Sequence, residues 1–379
     1  MLSITKPEKD SPALCEIIKG ELKGEKIYIN KDKKAEIDAY EDPDYIIENV
    51  LFKDPEYLKL TSKIKLSTKK MIDDALLSDD RVEFGDVGTS ELYKKILKLL
   101  DKIYRTEIYL KNGEIRPLIN ENVHNSFFVS GPSGSGKSFY IGQLLKQMRD
   151  SNPDIPIYVV SKVEEDPAYD FLNAKVPEDL QMLIDKKKIE RVKDKITGNI
   201  VERVIMPTEE QIKKYEELTE HNIIRIATKG KEGYEAWVGL TGDKKTNVPQ
   251  MKIEMLKDSI IVFDDCNTIL DKDINTGIRK FMDDCLETSR HWNLCVCATT
   301  HLIQDYLFTR KLLSECSQIT LFPSGNFPSV TKFLKNNAGM SQAMIDKVKW
   351  IGEGSRWITY NRSSFPPYII HMNGVLLMN

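Results

Sequence analysis

The segment "FFVSGPSGSGKSFY" at residues 127–140 constrains the fold of this chain more than any other. An apolar run leads into a loop of Gly, Ser and Pro, followed by Lys137, Ser138 and a helical pattern. Glycines let successive backbone N–H groups turn inward without Cβ clashes, and the helix N-terminus adds partial positive charge. The segment therefore predicts a strand, a phosphate-binding loop and a helix, the opening of an α/β fold.

The loop matches the pattern G-x-x-x-x-G-K-[ST] over residues 131–138. In such loops the lysine reaches the β- and γ-phosphates and the hydroxyl ligates Mg²⁺, so ATP and Mg²⁺ are the expected cofactors. The alternative is a Gly/Ser-rich hairpin that matches by chance. No Asn-Lys-x-Asp base-reading motif is present, which argues against a GTPase. The predicted nucleotide-binding residues are Gly131, Pro132, Ser133, Gly134, Ser135, Gly136, Lys137, Ser138 and Phe139.

A second strand, "SIIVFDDC", ends in two carboxylates, Asp264 and Asp265. Burying a charge at the tip of an apolar strand is unfavourable unless a cation accompanies it. We therefore predict that Asp264, with Ser138, holds Mg²⁺ and that Asp265 activates an attacking water. A helix-capping role at the strand exit is the alternative. Many ATPases carry Glu at the second position. Asp is shorter by one methylene, so the activation of water by Asp265 depends on whether its carboxylate reaches that water.

A third strand, "NLCVCATTHLIQD", carries polar residues to the edge where an open α/β sheet binds its ligand. Thr300 and His301 are the leading candidates to sense the γ-phosphate, and Gln304 is the third. A polar strand exit that turns into a loop is the alternative. Arg290 and Arg310 are candidates for an arginine delivered into a neighbouring subunit, where a guanidinium neutralises charge on the transferred phosphoryl group. Ordinary surface salt bridges are the alternative for both.

The net charge of −3 supplies no overall field that would draw the protein to nucleic acid or membrane. No apolar stretch is long enough to cross a bilayer, and no signal-peptide pattern opens the sequence. The six cysteines form no Cys-x-x-Cys pair, so buried, reduced thiols in an intracellular compartment are expected.

The chain divides by pattern into an N-terminal region of unknown role, 1–118, and an ATPase core, 119–379. The alternation of strand and helix predicts a mainly parallel sheet flanked by helices, interrupted by an insertion at 176–252 and ended by an antiparallel hairpin. The Lys/Arg density of the insertion is compatible with nucleic-acid contact or with a plain solvated face.

The motifs form an ordered set: "GPSGSGKS", "IIVFDDC", "SRHWNLCVCATTH", "TRKLLSECSQITLFP" and "SRWITYNR". This set resembles the genome-packaging ATPases of large double-stranded DNA viruses, the poxvirus-type branch of the FtsK/HerA P-loop superfamily. The likeness covers about residues 119–175 and 253–379. It implies an ATP hydrolase that assembles as a homo-oligomeric ring and pumps double-stranded DNA into a capsid. The implied surroundings are the host cytoplasm or the virion, with a capsid or portal protein as a further partner.

Two other kinds of function fit the same motifs. One is another ring motor, such as a DNA translocase, a helicase or a secretion-type ATPase, although no aromatic-rich strand for stacking single-stranded bases is visible. The other is a nucleotide-gated capsid assembly scaffold, in which ATP only orders a loop. The intact acidic pair favours hydrolysis over gating.

Overall fold

A computed structural model describes most of the chain. The described residues are 1–4, 6–7, 11–30, 43–78, 82–120, 124–162, 166–186, 188–193, 200–220, 222–227, 252–270, 272–303, 306–323 and 327–378.

The strands follow one another in chain order as β1 (Leu2–Ser3), β2 (Ala13–Lys19), β3 (Lys26–Ile29), β4 (Glu107–Tyr109), β5 (Glu114–Pro117), β6 (Ser126–Ser130), β7 (Ile157–Ser161), β8 (Ile189–Lys193), β9 (Ile200–Val204), β10 (Ile224–Ala227), β11 (Ile260–Asp264), β12 (Cys295–Thr300), β13 (Gln318–Leu321), β14 (Ile358–Asn361), β15 (Tyr368–His371) and β16 (Gly374–Leu377). The α-helices are α1 (Pro43–Asn49), α2 (Pro55–Thr61), α3 (Leu66–Leu76), α4 (Val87–Thr106), α5 (Lys137–Ser151), α6 (Pro167–Asp170), α7 (Glu178–Ile184), α8 (Glu209–Thr219), α9 (Lys272–Thr288), α10 (Tyr306–Glu315), α11 (Phe327–Asn336) and α12 (Gln342–Gly354). Short 3₁₀ helices lie at Leu51–Lys53, Ile253–Leu256 and Cys266–Thr268.

The chain forms two compact units, a first of Met1–Lys137 with Val296–Asn379 and a second of Ser138–Cys295. In the second unit β10, β7 and β11 pair in parallel in that order, and Asp264 at the end of β11 lies opposite Ser161. Every residue of β11 is buried, which explains its unbroken apolar sequence before the terminal carboxylate.

In the first unit β12, β6 and β13 pair in parallel, and β13, β14, β15, β16 and β4 continue antiparallel. The predicted α/β class, with parallel strands flanked by helices and an antiparallel C-terminal end, is confirmed. The register places both Thr300 of β12 and Leu321 of β13 opposite Ser130, the last residue of β6.

The N-terminal segment packs within the first unit. Its sheet, in the order β1-β3-β2-β5, shares an apolar cluster with residues of β15 and β16 such as Ile370 and Val375. A second cluster joins α1, α2, α3 and α4, with Trp350 of α12 packed against it. The strand β4 pairs with β16, so the chain before residue 118 adds a strand to the C-terminal hairpin. The role of residues 1–118 and their boundary as a domain stay predictions.

The segment predicted as an insertion is only partly described. Its helix α8 begins with a capping box, in which Thr208 and Gln211 bond reciprocally. The strands β8 and β9 form an antiparallel ribbon. The strand β10 lies inside this segment and pairs in parallel with β7, although no sequence pattern predicts a core strand there. The Gly- and Lys-rich stretch 229–247, whose sequence is typical of a hairpin, lies outside the described residues.

The six cysteines are all buried, as the sequence predicted. Within the described ranges, no helix combines the length and the apolar character that crossing a membrane requires.

A buried ion cluster ties α12 to α2 and β4. The ammonium of Lys347 donates to Asp54 Oδ2 at 2.8 Å and to Glu107. Asp54 also caps α2, because its Oδ1 accepts from the Glu56 N–H. Burial raises the pKa of Glu107 despite the lowering effect of Lys347. Burial acts to lower the pKa of Lys347, but the two carboxylates outweigh it, so that pKa is raised.

Lys347→Met should lower the free energy of unfolding by about 3–5 kcal/mol, because it leaves two buried carboxylates without their cation. Denaturant unfolding followed by circular dichroism measures the change. Lys349→Met, on the exposed side of the same helix, is the matched control and should change stability by less than about 0.5 kcal/mol. Equal stability of the two variants would contradict a stabilising role for the cluster.

Candidate functional site

The predicted phosphate loop leaves the end of β6 and enters α5. The Gly131 N–H donates to the Thr300 carbonyl at 3.1 Å, which fixes the start of the loop against β12. Gly134 and Gly136 have φ of +73° and +102°, values that residues with a Cβ rarely adopt. A Cβ at Gly131 would lie 2.6 Å from the Cβ of Phe322, so the close approach of the loop to the residue after β13 requires glycine there.

The loop contains polar groups that the protein leaves unpaired. The Ser135 hydroxyl is buried and has no hydrogen-bond partner within the described part of the chain. The Gly136 N–H has no acceptor among the described residues. A buried donor without a partner is unfavourable by about 1–3 kcal/mol, unless a ligand or water supplies the bond. These two groups suit an anion with several acceptor oxygens, which is what a phosphate provides.

Lys137, the first residue of α5, is 5% exposed. Its ammonium donates to the Pro132 carbonyl at 3.3 Å and lies 3.3 Å from His301 Nδ1. An ammonium can only donate, so His301 Nδ1 is the acceptor in this contact. The structure thus brings together Lys137 and His301, which the sequence placed on different motifs.

Thr300 is fully buried at the end of β12. Its hydroxyl donates to the Leu302 carbonyl at 3.1 Å and lies 3.4 Å from the Ser130 hydroxyl. The residue therefore stands beside the start of the phosphate loop with its hydroxyl already engaged. A sensing role for Thr300 or His301 stays a prediction, and Gln304 lies outside the described residues.

The second unit holds the other polar candidates. Ser138, the second residue of α5, places its hydroxyl 3.3 Å from Asp264 Oδ2 and 3.4 Å from Oδ1. Asp264 is 6% exposed at the tip of β11. A hydroxyl against a buried carboxylate is an all-oxygen donor pair, the kind that Mg²⁺ prefers.

Asp265 follows directly and adopts a left-handed conformation with φ of +46°. Its carbonyl accepts from the Thr268 N–H at 3.0 Å and from the Thr268 hydroxyl at 2.8 Å, which begins the 3₁₀ turn. Asp is among the few residue types with a side chain that enter this region at modest strain. The turn separates the two carboxylates: Asp264 ends the buried strand, whereas Asp265 is half-buried.

Sequence analysis missed Tyr169, which lies fully buried in α6. Its hydroxyl is close to Ser138 and Asp264, but no residue in the described ranges meets hydrogen-bond geometry with it. Burial, and then the charge of Asp264, raise the pKa of Tyr169 well above its ordinary value. The Tyr169 hydroxyl beside Asp264 suits a site for a hydrated cation, because the waters on such a cation donate hydrogen bonds to nearby oxygens.

A glycine permits this placement of Tyr169. A Cβ at Gly142 of α5 would lie 2.2 Å from the Ala168 carbonyl oxygen, so only glycine lets α6 approach α5 this closely. Asp166 caps α6 by accepting from the Ala168 N–H at 2.9 Å. The segment "DPAY" is a Pro-started, Asp-capped turn, which is the one sequence signal that could have located Tyr169.

The remaining predicted residues lie on the surface. Arg290, just after α9, and Arg310 of α10 are both exposed. Phe139, predicted to contact nucleotide, is 60% exposed on α5. An arginine that acts on a neighbouring subunit must be exposed, so the arginine predictions stay open.

No family model matches the chain. Over 272 residues it is 25% identical to Uncharacterized protein V3 of Sputnik virophage, an alignment that covers 71% of this chain and 84% of that protein. Among solved structures it is similar to the genome packaging NTPase B204 from Sulfolobus turreted icosahedral virus 2 in complex with sulfate. That likeness has 12% identity and a TM-score of 0.36, and covers 67% of this chain and 96% of the other. VirB4 of Thermoanaerobacter pseudethanolicus gives 10% identity and a TM-score of 0.37, over 72% and 95% of the two chains.

Proposed function

We propose that this chain is an ATP-hydrolysing motor that translocates double-stranded DNA and packages a viral genome into a capsid. The observation that carries the proposal is the buried carboxylate of Asp264 against the hydroxyl of Ser138, the residue that completes the phosphate-loop motif. That hydroxyl and a carboxylate at the tip of a neighbouring strand are the protein ligands that hold Mg²⁺ in P-loop nucleotidases.

The loop's own groups account for binding of the phosphates. The Ser135 hydroxyl and the Gly136 N–H donate to phosphate oxygens, and the Lys137 ammonium exchanges the Pro132 carbonyl and the His301 ring for the β- and γ-oxygens. Ser138 and Asp264 would hold Mg²⁺, which would supply neutralisation of the negative charge on the phosphates when bound.

Hydrolysis requires a base and a compensating cation. Asp265 accepts a proton from the water that attacks the γ-phosphorus, while the bond to the β–γ bridging oxygen breaks and ADP leaves. Thr300 or His301 contacts the γ-phosphate. Arg310 or Arg290 reaches into the neighbouring subunit of a ring and stabilises the negative charge of the transition state.

The DNA-translocating part of the proposal is supported by the ordered motif set shared with viral packaging ATPases. B204 from Sulfolobus turreted icosahedral virus is a DNA-packaging ATPase, and this activity is extended to the present chain only as a proposal. The proposed setting is the host cytoplasm or the virion, with a capsid or portal protein as the docking partner. The net charge of −3 requires that DNA contact be made by a local basic surface.

The test is ATP turnover by the purified chain with and without linear duplex DNA. A motor should turn over ATP several-fold faster with the duplex, and the stimulation should fall between about 50 and 200 mM salt as counterion release weakens binding. Single-stranded DNA and heparin, at matched charge, are the controls.

The arms of this experiment separate the alternatives. Stimulation by single strands alone would favour a helicase, and equal stimulation by heparin would indicate a non-specific polyanion effect. ATP binding with no stimulated turnover would favour a nucleotide-gated scaffold and overturn the motor.

A further inference from the structure

Arg356, just before β14, lies against the phosphate loop from the outside. Its Nε donates to the Ser135 carbonyl at 2.9 Å. Its Nη2 would be 2.9 Å from a Cβ built on Gly136, so the guanidinium occupies the space that any other residue at that position would need. The contact joins residues 221 positions apart in the chain, and neither the motif at 131–138 nor the terminal strands assign it a role.

The contact with Arg356 fixes the direction of the Gly136 N–H, which belongs to the same peptide group as the Ser135 carbonyl. In a trans peptide the C=O and the N–H point in opposite directions. The bond from Arg356 to the Ser135 carbonyl therefore turns the Gly136 N–H of the same peptide away from Arg356. That N–H has no acceptor among the described residues, and the unpaired Ser135 hydroxyl belongs to the adjoining residue.

The backbone of Arg356 is anchored on the C-terminal strands. Its N–H donates to Met372 Sδ at 3.2 Å. The neighbouring Ser355 is buried, and its hydroxyl donates to the Trp357 carbonyl at 2.6 Å and accepts from the Met372 N–H at 3.0 Å. The arginine is thus presented by the β15–β16 turn and the start of β14, independently of the loop it contacts.

We infer that Arg356 is a positioning residue for polyphosphate binding: it fixes the Ser135–Gly136 peptide so that the Gly136 N–H is presented to a phosphate of a nucleoside di- or triphosphate. The guanidinium also polarises that peptide, because a charged donor on the carbonyl strengthens the hydrogen bond that the N–H makes. This inference rests on the proposed nucleotide binding and adds a contribution from the same chain's C-terminal strands.

The experiment measures the Kd of the full chain for two probes, ATPγS and inorganic pyrophosphate, by calorimetry. Arg356→Ala should weaken both probes by the same factor, about tenfold, since the charge-assisted bond that orients the Gly136 N–H toward the phosphates is lost and no contact with the base changes. Arg356→Lys, which retains a charge and a donor, should recover part of the loss. If Arg356 only stabilised the fold, Arg356→Ala would lower the melting temperature. Arg356→Lys would then not recover the affinity for the probes.

Arg362→Ala is the matched control, because Arg362 stands at the other end of β14 and donates to the carbonyls of Leu313 and Ser314. Its affinities should equal those of the wild type. The inference is overturned if Arg356→Ala binds both probes like the wild type, or if it loses ATPγS but retains pyrophosphate, which would place the contact at the base. A wild-type chain that binds neither probe would overturn the proposed function itself, and this inference with it.

Discussion

Lys137→Ala should lower ATP turnover by at least about a hundredfold, equivalent to about 2.7 kcal/mol of transition-state stabilisation. Lys137 is 5% exposed, and its ammonium donates to the Pro132 carbonyl and the His301 ring. A nucleotide would offer it the charged β- and γ-oxygens instead, a much stronger pairing inside a partly dehydrated loop. Steady-state phosphate release, with ATPγS affinity measured in parallel, tests both binding and turnover.

The fold should tolerate this change. Burying an ammonium is unfavourable in itself, so its removal need not lower the melting temperature of the nucleotide-free chain. Lys146→Ala is the matched control: Lys146 lies on the same helix, pairs with Asp150 on the surface and should leave turnover unchanged. Unimpaired turnover by Lys137→Ala would remove the phosphate-loop assignment, and with it the proposed motor.

Asp265→Asn should retain ATP binding and lose hydrolysis by about 10²–10⁴-fold, the usual contribution of a general base. The substitution is conservative for the backbone, because Asn enters the left-handed region at φ of +46° as readily as Asp does. The 3₁₀ turn depends on the Asp265 carbonyl rather than on its side chain, so the turn should survive. The change removes the charge that would accept the proton from water. Single-turnover hydrolysis and ATPγS binding separate chemistry from affinity.

A second left-handed aspartate provides the control for this variant. Asp258 has φ of +54° and accepts from the Asn293 side chain away from the acidic pair. Asp258→Asn should hydrolyse ATP at the wild-type rate. An Asp265→Asn chain that is fully active would place the base elsewhere, whereas loss of ATP binding would make Asp265 part of the nucleotide or metal site instead.

The local elements were predictable because their conformational demands are local. The glycines of the phosphate loop, the capping box at Thr208 and the apolar run that ends at Asp264 each specify a turn, a helix start or a buried strand within a few residues. The α/β class followed from their alternation.

The partners of those elements were not predictable. β10 has four residues within a charged segment, and only its parallel pairing with β7 identifies it as a sheet strand. The Lys347 cluster assembles side chains from α12, α2 and β4, and no periodicity indicates that they meet. The sequence around Tyr169 does not indicate a site residue. The structure shows that Gly142 lets the short helix of Tyr169 approach α5.

The sequence by itself determined that this chain has a glycine-rich loop of phosphate-binding pattern between a strand and a helix, and that a strand ends in paired carboxylates. Only the tertiary structure decided what surrounds them: His301 at the Lys137 ammonium, Tyr169 at the acidic pair and Arg356 at the Ser135 carbonyl. The physical reason is the separation in sequence over which each interaction acts. Backbone conformation depends on neighbours in the sequence, whereas a hydrogen bond across 221 residues depends on strand order and register that no local pattern encodes.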